Sequence, residues 1–496
     1  MMTAFLLVAL AIILSAGSEQ KKWNSAEVPI TFWAWKTQIP SEKELRETIE
    51  QSRASMLFLR AGQLDLENGE VKRIRPAVGK LADGVAVHLV YNGTRPLLRG
   101  LETIEPARLA VEILKIYTSD FDRFSADEAR ITGLQLDIDY PTRLLSHYAA
   151  TAREIRRRLP SETKLSITGL PTWMDSGDLG PLLETLDFWI PQLYGGEIPT
   201  HLSQPIPISS LGEVKRYVIK ARKLGKPFFA GLAAYGYAIH YDRRGDLVEV
   251  RGDIYHASAV NNRSFELISL DRTDRKYAAG DVRHVFRAKR DEVLEGLLIA
   301  AGESLVFDSP TPDSLREAGR IVREHAGEQL LGLCVFRLPT IEDTTNLRTQ
   351  EIVDALRDSP FSAAIEVSAR KTGERSFTIT AANTGNASSF TSEALVVDIA
   401  VPPGSVRGFL AHRGFTGFET LCSTVSGSPR KCSGARADVI RLTNNAWRVG
   451  DEASINLSAN LAQRSELPVT IFTSYENGRR ERTFKKVVIE ENNNGD

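Results

Sequence analysis

The stretch GLQLDIDYP at Gly133–Pro141 alternates apolar and polar side chains before it ends in a proline. Side chains on a β-strand point alternately to its two faces, so the three apolar residues share one face. Gln135, Asp137 and Asp139 share the other face, with the Cα atoms of the two aspartates roughly 6.6 Å apart. The pattern predicts a strand that packs under helices with one face and presents two carboxylates on the other.

Seven further strand-like runs, separated by helical patterns, flank this stretch between about residues 28 and 345. Several of the runs are almost continuously apolar, which is typical of parallel strands covered on both faces. The order predicts an α/β fold, a closed (β/α)8 TIM-type barrel over 27–345. An open doubly wound sheet is the alternative, but no glycine-rich phosphate loop follows the first strand. The predicted strands are Val28–Trp35, Ser55–Ala61, Val85–Tyr91, Ile131–Tyr140, Lys164–Leu170, Phe188–Tyr194, Pro227–Tyr235 and Leu331–Leu338.

Two other regions of the chain do not follow this strand–helix pattern. The long connection at about 242–303 follows the seventh predicted strand, on the face where barrel enzymes place catalytic loops. We expect an insertion there, either a wall or lid of the site or a plain excursion. Beyond residue 360, short alternating strands separated by turn clusters predict a C-terminal all-β sandwich over 361–490, of the immunoglobulin or fibronectin-like type.

The N-terminus carries an apolar run, Ala4–Leu14, followed by small residues up to Ser18. The run is shorter than the roughly 20 residues that span a bilayer and is typical of a signal peptide. No Lys or Arg precedes it, so an uncleaved N-terminal anchor is the alternative for residues 1–18. Both interpretations predict an exported protein, whether periplasmic, secreted or anchored to the membrane.

Composition narrows the functional classes. The chain has 62 Lys+Arg and 63 Asp+Glu, a net charge of −1, so it lacks the basic surplus of a nucleic-acid binder. No His-x-x-His or Cys-x-x-Cys spacing occurs, and we predict neither a metal site nor a cofactor. Cys422 and Cys432 lie ten residues apart, and we expect a disulfide between them in an exported protein, although spacing alone does not fix the pairing.

The two aspartates of the quoted strand are the leading candidates for chemistry. Ionisable groups inside a barrel are costly unless they are used or paired. Asp137 and Asp139 are close enough for one carboxylate to raise the pKa of the other, and they lie where barrel enzymes place catalytic groups. The alternative is a structural pair that is bonded to an arginine or to the backbone.

The same strand resembles the fourth strand of the family 18 glycoside hydrolases, the chitinase-like barrels. That strand reads Asp-Gly-x-Asp-x-Asp-x-Glu, often followed by Tyr-Pro. Asp139 stands where the family has its Glu acid, and Thr132 and Gln135 replace the two earlier aspartates. Four positions match the pattern: Gly133, Asp137, Tyr140 and Pro141.

Other motifs of this family follow in the same order along the chain. The chain is also similar to bacterial chitinase-like proteins catalogued only as a domain of unknown function. The further matches are Leu165–Pro171 to the fifth strand, Asp187–Tyr194 to the sixth, Gly231–Gly236 to the seventh, Phe307–Pro310 with Ser314 to the stretch before the last helix, and Gly332–Leu338 to the eighth.

The resemblance implies a retaining mechanism in which the acetamido group of the substrate is the nucleophile. If the roles of the family's motif residues apply at the matching positions, Asp139 is the acid and Asp137 is the carboxylate that assists it. Tyr194 is then the residue that holds the acetamido group. Phe336 takes the place of the sugar-stacking tryptophan. The other expected sugar contacts are Gln192, Tyr235, Gln135 and Trp173, with a core amide as the alternative for Gln192 and a core ring as the alternative for Trp173.

These features predict a divergent glycoside-hydrolase-like protein whose partner is an N-acetylated polysaccharide or a cell-envelope glycan. Aspartate is one methylene shorter than glutamate, and proton transfer requires close approach, so Asp139 is the weak point of the catalytic interpretation. A non-catalytic glycan-binding protein on the same barrel is the alternative. A scaffold that uses the sandwich to bind cell-surface partners is a third. The sequence leaves the oligomeric state open.

Overall fold

The computed structural model describes residues 23–490, apart from 82, 196–197, 273–280, 341–342, 344, 392, 425–428 and 463–464. The expected signal peptide or anchor at 1–18 lies outside the described residues. Within the described part of the chain, no helix is both long and apolar enough to cross a membrane.

Eight parallel strands form a closed barrel, as predicted. The first strand pairs with the second on one side and with the eighth on the other, which closes the sheet. The barrel strands are β1 (Ile30–Ala34), β2 (Leu57–Glu67), β3 (Ala86–Gly93), β4 (Arg130–Asp137), β5 (Lys164–Gly169), β6 (Phe188–Pro191), β7 (Phe228–Ala233) and β8 (Leu330–Phe336).

Helices cover the outside of the barrel. The outward residues of β4 and the turn after it, Leu134, Leu136 and Ile138, are fully buried in this layer, as the alternation predicts. Two of the helices begin with reciprocal capping boxes, which fix where the chain leaves the preceding loop. The α-helices are Glu42–Ser52, Arg95–Gly100, Pro106–Ser125, Leu145–Arg158, Leu179–Glu184, Leu211–Lys223, His256–Val260, Pro312–His325 and Thr349–Leu356.

The inside of the barrel is filled by aromatic and aliphatic side chains, among them Trp33, Phe58, Phe188 and Phe229. His88 is fully buried between the rings of Phe58 and Phe188, and this burial lowers its pKa to about 4. A Cβ atom on Gly133 would lie 2.4 Å from the His88 ring, so only glycine fits there. Gly133 therefore has a packing role in this barrel.

A five-stranded antiparallel sheet and a small hairpin are inserted between β7 and β8. In the order of the sheet, the five strands are Leu247–Arg251, Tyr237–Tyr241, Ser304–Ser309, Val282–Ala288 and Phe265–Arg272. The hairpin pairs Glu292–Leu294 with Leu297–Ile299. This sheet contains a small apolar core of its own, so the long connection is a folded unit.

The C-terminal region is a β-sandwich, as predicted. Its strands alternate buried and exposed residues, which places one face of each sheet in a shared apolar core. A short parallel pairing between Ile365–Lys371 and Arg480–Glu490 joins the two sheets. The remaining strands are Ser376–Asn383, Leu395–Ala400, Val406–Arg413, Gly417–Cys422, Arg430–Lys431, Val439–Asn444, Glu452–Ala459 and Glu466–Ser474.

The structure joins Cys422 and Cys432 in a disulfide at the edge of the sandwich. Cys422 ends the strand Gly417–Cys422, and Cys432 directly follows the short strand paired with it. Cys334 is a free, fully buried thiol inside the barrel.

Candidate functional site

Asp137 is the last residue of β4 and points into the barrel mouth. Its half-buried carboxylate accepts a hydrogen bond from the Thr168 hydroxyl on β5. Burial raises the pKa of Asp137 to about 7, the charge of Asp139 adds to this rise, and the Thr168 bond opposes it. Asp137 therefore exchanges its proton near neutral pH.

Asp139 lies beyond the end of the strand, in a tight turn. The Tyr140 N–H donates to the Ile138 carbonyl oxygen over 2.7 Å, and this three-residue turn carries Asp139 at its centre. The predicted strand, which ran to Tyr140, is thus too long, because the chain leaves the sheet after Asp137. The Asp139 side chain is exposed at the mouth, and partial burial of its carboxyl group raises its pKa.

The carboxyl groups of Asp137 and Asp139 interact electrostatically with each other. Among the described residues, no Arg, Lys or His side chain forms an ion pair with Asp137 or Asp139. Among these residues the arginine-bonded structural pair is therefore not formed, and the partner of Asp137 is the Thr168 hydroxyl. Chemically, two coupled carboxyl groups that face solvent can hold one proton and deliver it to a ligand.

Four aromatic rings line the mouth beside the carboxylates. Phe336, the last residue of β8, lies 5.3 Å from Trp35, 5.2 Å from Tyr235 and 6.1 Å from Tyr194, measured between ring centroids. Tyr194 and Phe336 are nearly parallel, at 27°. We call these four residues the aromatic floor. A floor of this kind suits the apolar face of a sugar ring.

The Tyr194 hydroxyl belongs to the same environment as the carboxylates. Burial raises its pKa well above 10, and the charges of Tyr235, Asp137 and Asp139 add to the rise. The phenol therefore stays protonated and can donate a hydrogen bond to a ligand oxygen. Gln192 is half-buried two residues earlier, where its backbone bridges to Gly231 on β7.

Two of the expected sugar contacts are wrong because their side chains are buried. Trp173 is 1% exposed, packs edge-on against Tyr148, and donates its indole N–H to the Tyr140 carbonyl oxygen over 3.0 Å. Gln135 is fully buried, accepts from the Trp33 indole over 2.7 Å and donates to Ser166 over 3.2 Å. Trp173 instead supports the turn that carries Asp139, and Gln135 ties β4 to β1 and β5 inside the barrel.

Sequence reasoning missed two polar residues of the mouth. Arg60 interrupts the apolar run of β2 and is 7% exposed, with its guanidinium carbon 5.7 Å from the centre of the Trp35 ring. Asn92 is aligned with Asp137 across the β3–β4 pair, and its buried Oδ1 has no hydrogen-bond partner among the described residues. A charged or amide side chain in an otherwise apolar barrel strand is the signal that could have identified both.

A second concavity lies at the junction of the inserted sheet, the end of the barrel and the sandwich. Its lining includes His256, His284, Glu351, Phe390 and Glu476. None of the residues assigned to the mouth lines it, so it is distinct from the carboxylate pair. Within the described residues, no cluster of three or more His, Cys, Asp or Glu side chains is arranged to hold a metal ion.

Comparisons with known proteins give one family and several similar folds. A protein-family model described as a domain of unknown function (DUF3142) matches residues 104–267, a segment that contains Asp137, Asp139 and Tyr194. A comparison with curated proteins found no match.

Among solved structures, the chain is similar to three bacterial enzymes. A chitinase from Chromobacterium violaceum matches with a TM-score of 0.45 at 12% identity, over 67% of this chain and 98% of that one. The spore cortex-lytic enzyme SleL of Bacillus cereus matches with a TM-score of 0.42 at 15% identity, over 67% and 74%. The cell-surface-expressed chitinase ChiW of Paenibacillus sp. FPU-7 matches with a TM-score of 0.47 at 12% identity, over 93% of this chain and 42% of that one.

Proposed function

We propose that this protein cleaves an N-acetylated polysaccharide or cell-envelope glycan at the mouth of its barrel. The observation that carries the proposal is the Asp137–Asp139 pair, which forms no ion pair with a cation among the described residues and whose charges act on Tyr194 of the aromatic floor. A protonated carboxyl group, a hydroxyl donor and a stacking surface are what a glycosidase of the substrate-assisted type requires.

The proposed reaction retains configuration at the anomeric carbon. Asp139, which faces solvent, donates its proton to the glycosidic oxygen as the bond to the anomeric carbon breaks. The acetamido oxygen of the same sugar forms the new bond to that carbon, while Asp137 accepts from the acetamido N–H and Tyr194 donates to the acetamido oxygen. Water then attacks the anomeric carbon, the bond between that carbon and the acetamido oxygen breaks, and Asp139 takes up a proton from the water, which restores the enzyme.

A non-catalytic glycan-binding protein is the second candidate. The observation that favours it is the short reach of Asp139, an aspartate held in a tight turn beyond the strand. Such a protein would use the aromatic floor for affinity and would tolerate loss of the acid. Asp139→Asn separates the candidates, because it abolishes cleavage in a glycosidase and leaves affinity unchanged in a binding protein.

We also propose that the protein works outside the cytoplasm, on glycans of the cell envelope. The Cys422–Cys432 disulfide supports this, since disulfides persist in oxidising compartments. Cell fractionation with thiol labelling tests the proposal. Protein in the exported fraction should be resistant to labelling at Cys422 and Cys432 before reduction, and recovery of the protein only as a cytoplasmic dithiol would contradict it.

The direct test of the proposed function is hydrolysis of a panel of chitin oligomers, peptidoglycan strands and N-acetylated exopolysaccharides. The wild-type protein should release reducing ends from at least one of them, and Asp139→Asn should release none. Asp178→Asn is the matched control, because Asp178 is an exposed aspartate at the start of the helix Leu179–Glu184.

A further inference from the structure

Arg60 is a buried cation at the mouth of the barrel. Phe58 is aligned with Trp33 across the β1–β2 pair and lies inside the barrel. Arg60 follows two residues later on the same strand face, one layer nearer to the mouth. Its side chain is 7% exposed and faces the Trp35 ring.

Within the described part of the chain, the charge of Arg60 is not compensated by a carboxylate. Among the described residues, no carboxylate lies within ion-pair distance of it, and its one hydrogen-bond acceptor is the Thr37 hydroxyl, at 2.5 Å from Nη2. The buried Nε has no partner at all in that part of the chain. Burial and the nearby charge of Arg75 both lower the Arg60 pKa, which is the sign of a cation that lacks an anion.

The surroundings of Arg60 connect it to the proposed site. Trp35, which its guanidinium faces, is one edge of the aromatic floor, and Tyr194 at the other edge lies in the field of the two aspartates. Two more cations, Lys36 and Arg337, stand on the same side of the mouth and share one carboxylate, that of Asp343, at 3.1 and 2.9 Å. Counted over the described residues, the mouth is therefore acidic beside β4 and has a surplus of positive charge beside β1, β2 and β8.

We propose that Arg60 forms a subsite for a carboxylate carried by the glycan, so that the substrate is an acidic N-acetylated polysaccharide and not neutral chitin. This inference rests on the proposed function, because it places the glycan on the aromatic floor. A planar carboxylate matches the guanidinium fork and supplies the missing negative charge. A neutral oligomer would leave the Arg60 charge buried and unpaired in the complex.

Uronic acids and muramic acid both carry such a carboxylate, and defined probes separate them. A hyaluronan hexamer places it on the ring of a uronic acid, and a peptidoglycan glycan tetramer places it on the lactyl ether of muramic acid. A chitin hexamer is the neutral reference. Titration calorimetry at low salt, with Asp139→Asn protein to prevent cleavage, measures the three affinities.

We expect at least one carboxylated probe to bind about tenfold or more tightly than chitin, as is typical of a charge-assisted bidentate hydrogen bond. Arg60→Met should remove this preference while it changes the affinity for chitin less than about twofold, and Arg60→Lys should restore only part of it, because lysine lacks the fork. Arg370→Met is the control, since Arg370 is an exposed arginine of the sandwich.

The outcomes distinguish this inference from the function on which it rests. Equal affinity for charged and neutral oligomers, or a preference that survives in Arg60→Met, overturns the carboxylate subsite and leaves glycan binding intact. Failure of all three oligomers to bind overturns the proposed function itself.

Discussion

The indole N–H of Trp173 donates to the backbone carbonyl oxygen of Tyr140 over 3.0 Å, and Tyr140 is the residue that closes the turn around Asp139. The Tyr140 ring in turn stacks on Tyr148 at 4.0 Å and an angle of 8°. The exposed candidate acid is thus carried by a turn whose other side is fixed in the buried layer between the barrel and its helices.

Trp173→Phe should therefore act on catalysis as well as on stability. Loss of the hydrogen bond leaves the Tyr140 carbonyl oxygen unpaired, which should lower the unfolding free energy by about 1–3 kcal/mol. If the bond also positions Asp139, kcat should fall about tenfold with KM nearly unchanged. Trp447→Phe is the control, because it removes a similarly buried indole from the sandwich. Equal kcat in both variants would show that Trp173 is only structural.

Asp137→Asn should stabilise the protein at alkaline pH. Burial and Asp139 raise the pKa of Asp137 from 3.8 to about 7, so the native state binds its proton more tightly than the unfolded state does. The contribution of this proton to the free energy of unfolding is fully present below about pH 4 and is lost as the pH rises through about 7. The variant should be more stable than wild type at pH 8 by up to about 4 kcal/mol, with little difference at pH 4, as measured by urea unfolding. A constant difference across this range would contradict the shift.

The pH profile of hydrolysis should follow the same pair. As pH rises through about 7 the pair loses the proton that the reaction needs, so kcat/KM should fall on this alkaline side. Asp137→Asn removes the neighbouring negative charge, and we expect the alkaline limb to move to lower pH by about one unit. If the alkaline side of the kcat/KM profile does not move in Asp137→Asn, the group that titrates there is not this pair.

Phe336→Ala should weaken glycan binding about tenfold or more, because Phe336 is the ring shared by the three contacts of the aromatic floor. Phe336→Trp should tighten binding, since the larger indole offers more stacking area. Calorimetry with the preferred oligomer measures both changes. Phe418→Ala removes a 38% exposed ring of the sandwich and should leave affinity unchanged; a similar loss in that variant would point to a site on the sandwich.

Replacement of Cys422 and Cys432 by serine should lower the unfolding free energy by about 2–3 kcal/mol, as expected when a short loop is released in the unfolded chain. Urea unfolding of the oxidised and reduced protein gives the comparison. The double variant should be insensitive to reductant, because Cys334 is a free buried thiol. Equal unfolding free energies of the oxidised and reduced wild-type protein would mean that the disulfide does not stabilise the fold.

The sequence predicts the fold because the barrel strands and much of the sandwich carry regular apolar patterns. Strands whose side chains are largely exposed on both faces carry no such pattern, so the sequence does not mark them. Val406–Arg413 and Arg480–Glu490 are the clearest cases, since most of their residues face solvent and buried residues alternate with exposed ones only at the end of the second strand. Val406–Arg413 pairs with Glu452–Ala459, which is distant in sequence, whereas Arg480–Glu490 forms a hairpin with the preceding strand Glu466–Ser474.

The site is predicted as far as alternation extends and no further. The alternation of side chains along a strand predicts that Asp137 points into the mouth. It does not describe the position of Asp139, which is set by a turn beyond the end of the strand. Trp173 follows a strand as a mouth residue would, yet its ring turns into the buried layer, because packing against Tyr148 decides its direction. Arg60 is visible in the sequence, but only the three-dimensional structure shows that no carboxylate among the described residues pairs with it.

The most direct test of the central claim, that the Asp137–Asp139 pair cleaves an N-acetylated glycan with help from the acetamido group, is the anomeric configuration of the first product. Proton NMR of the reaction mixture within the first minutes records it before mutarotation. We predict that the product has the configuration of the bond that was cleaved, and that Asp139→Asn forms no product. Product of inverted configuration, or cleavage that persists in Asp139→Asn, would contradict the account.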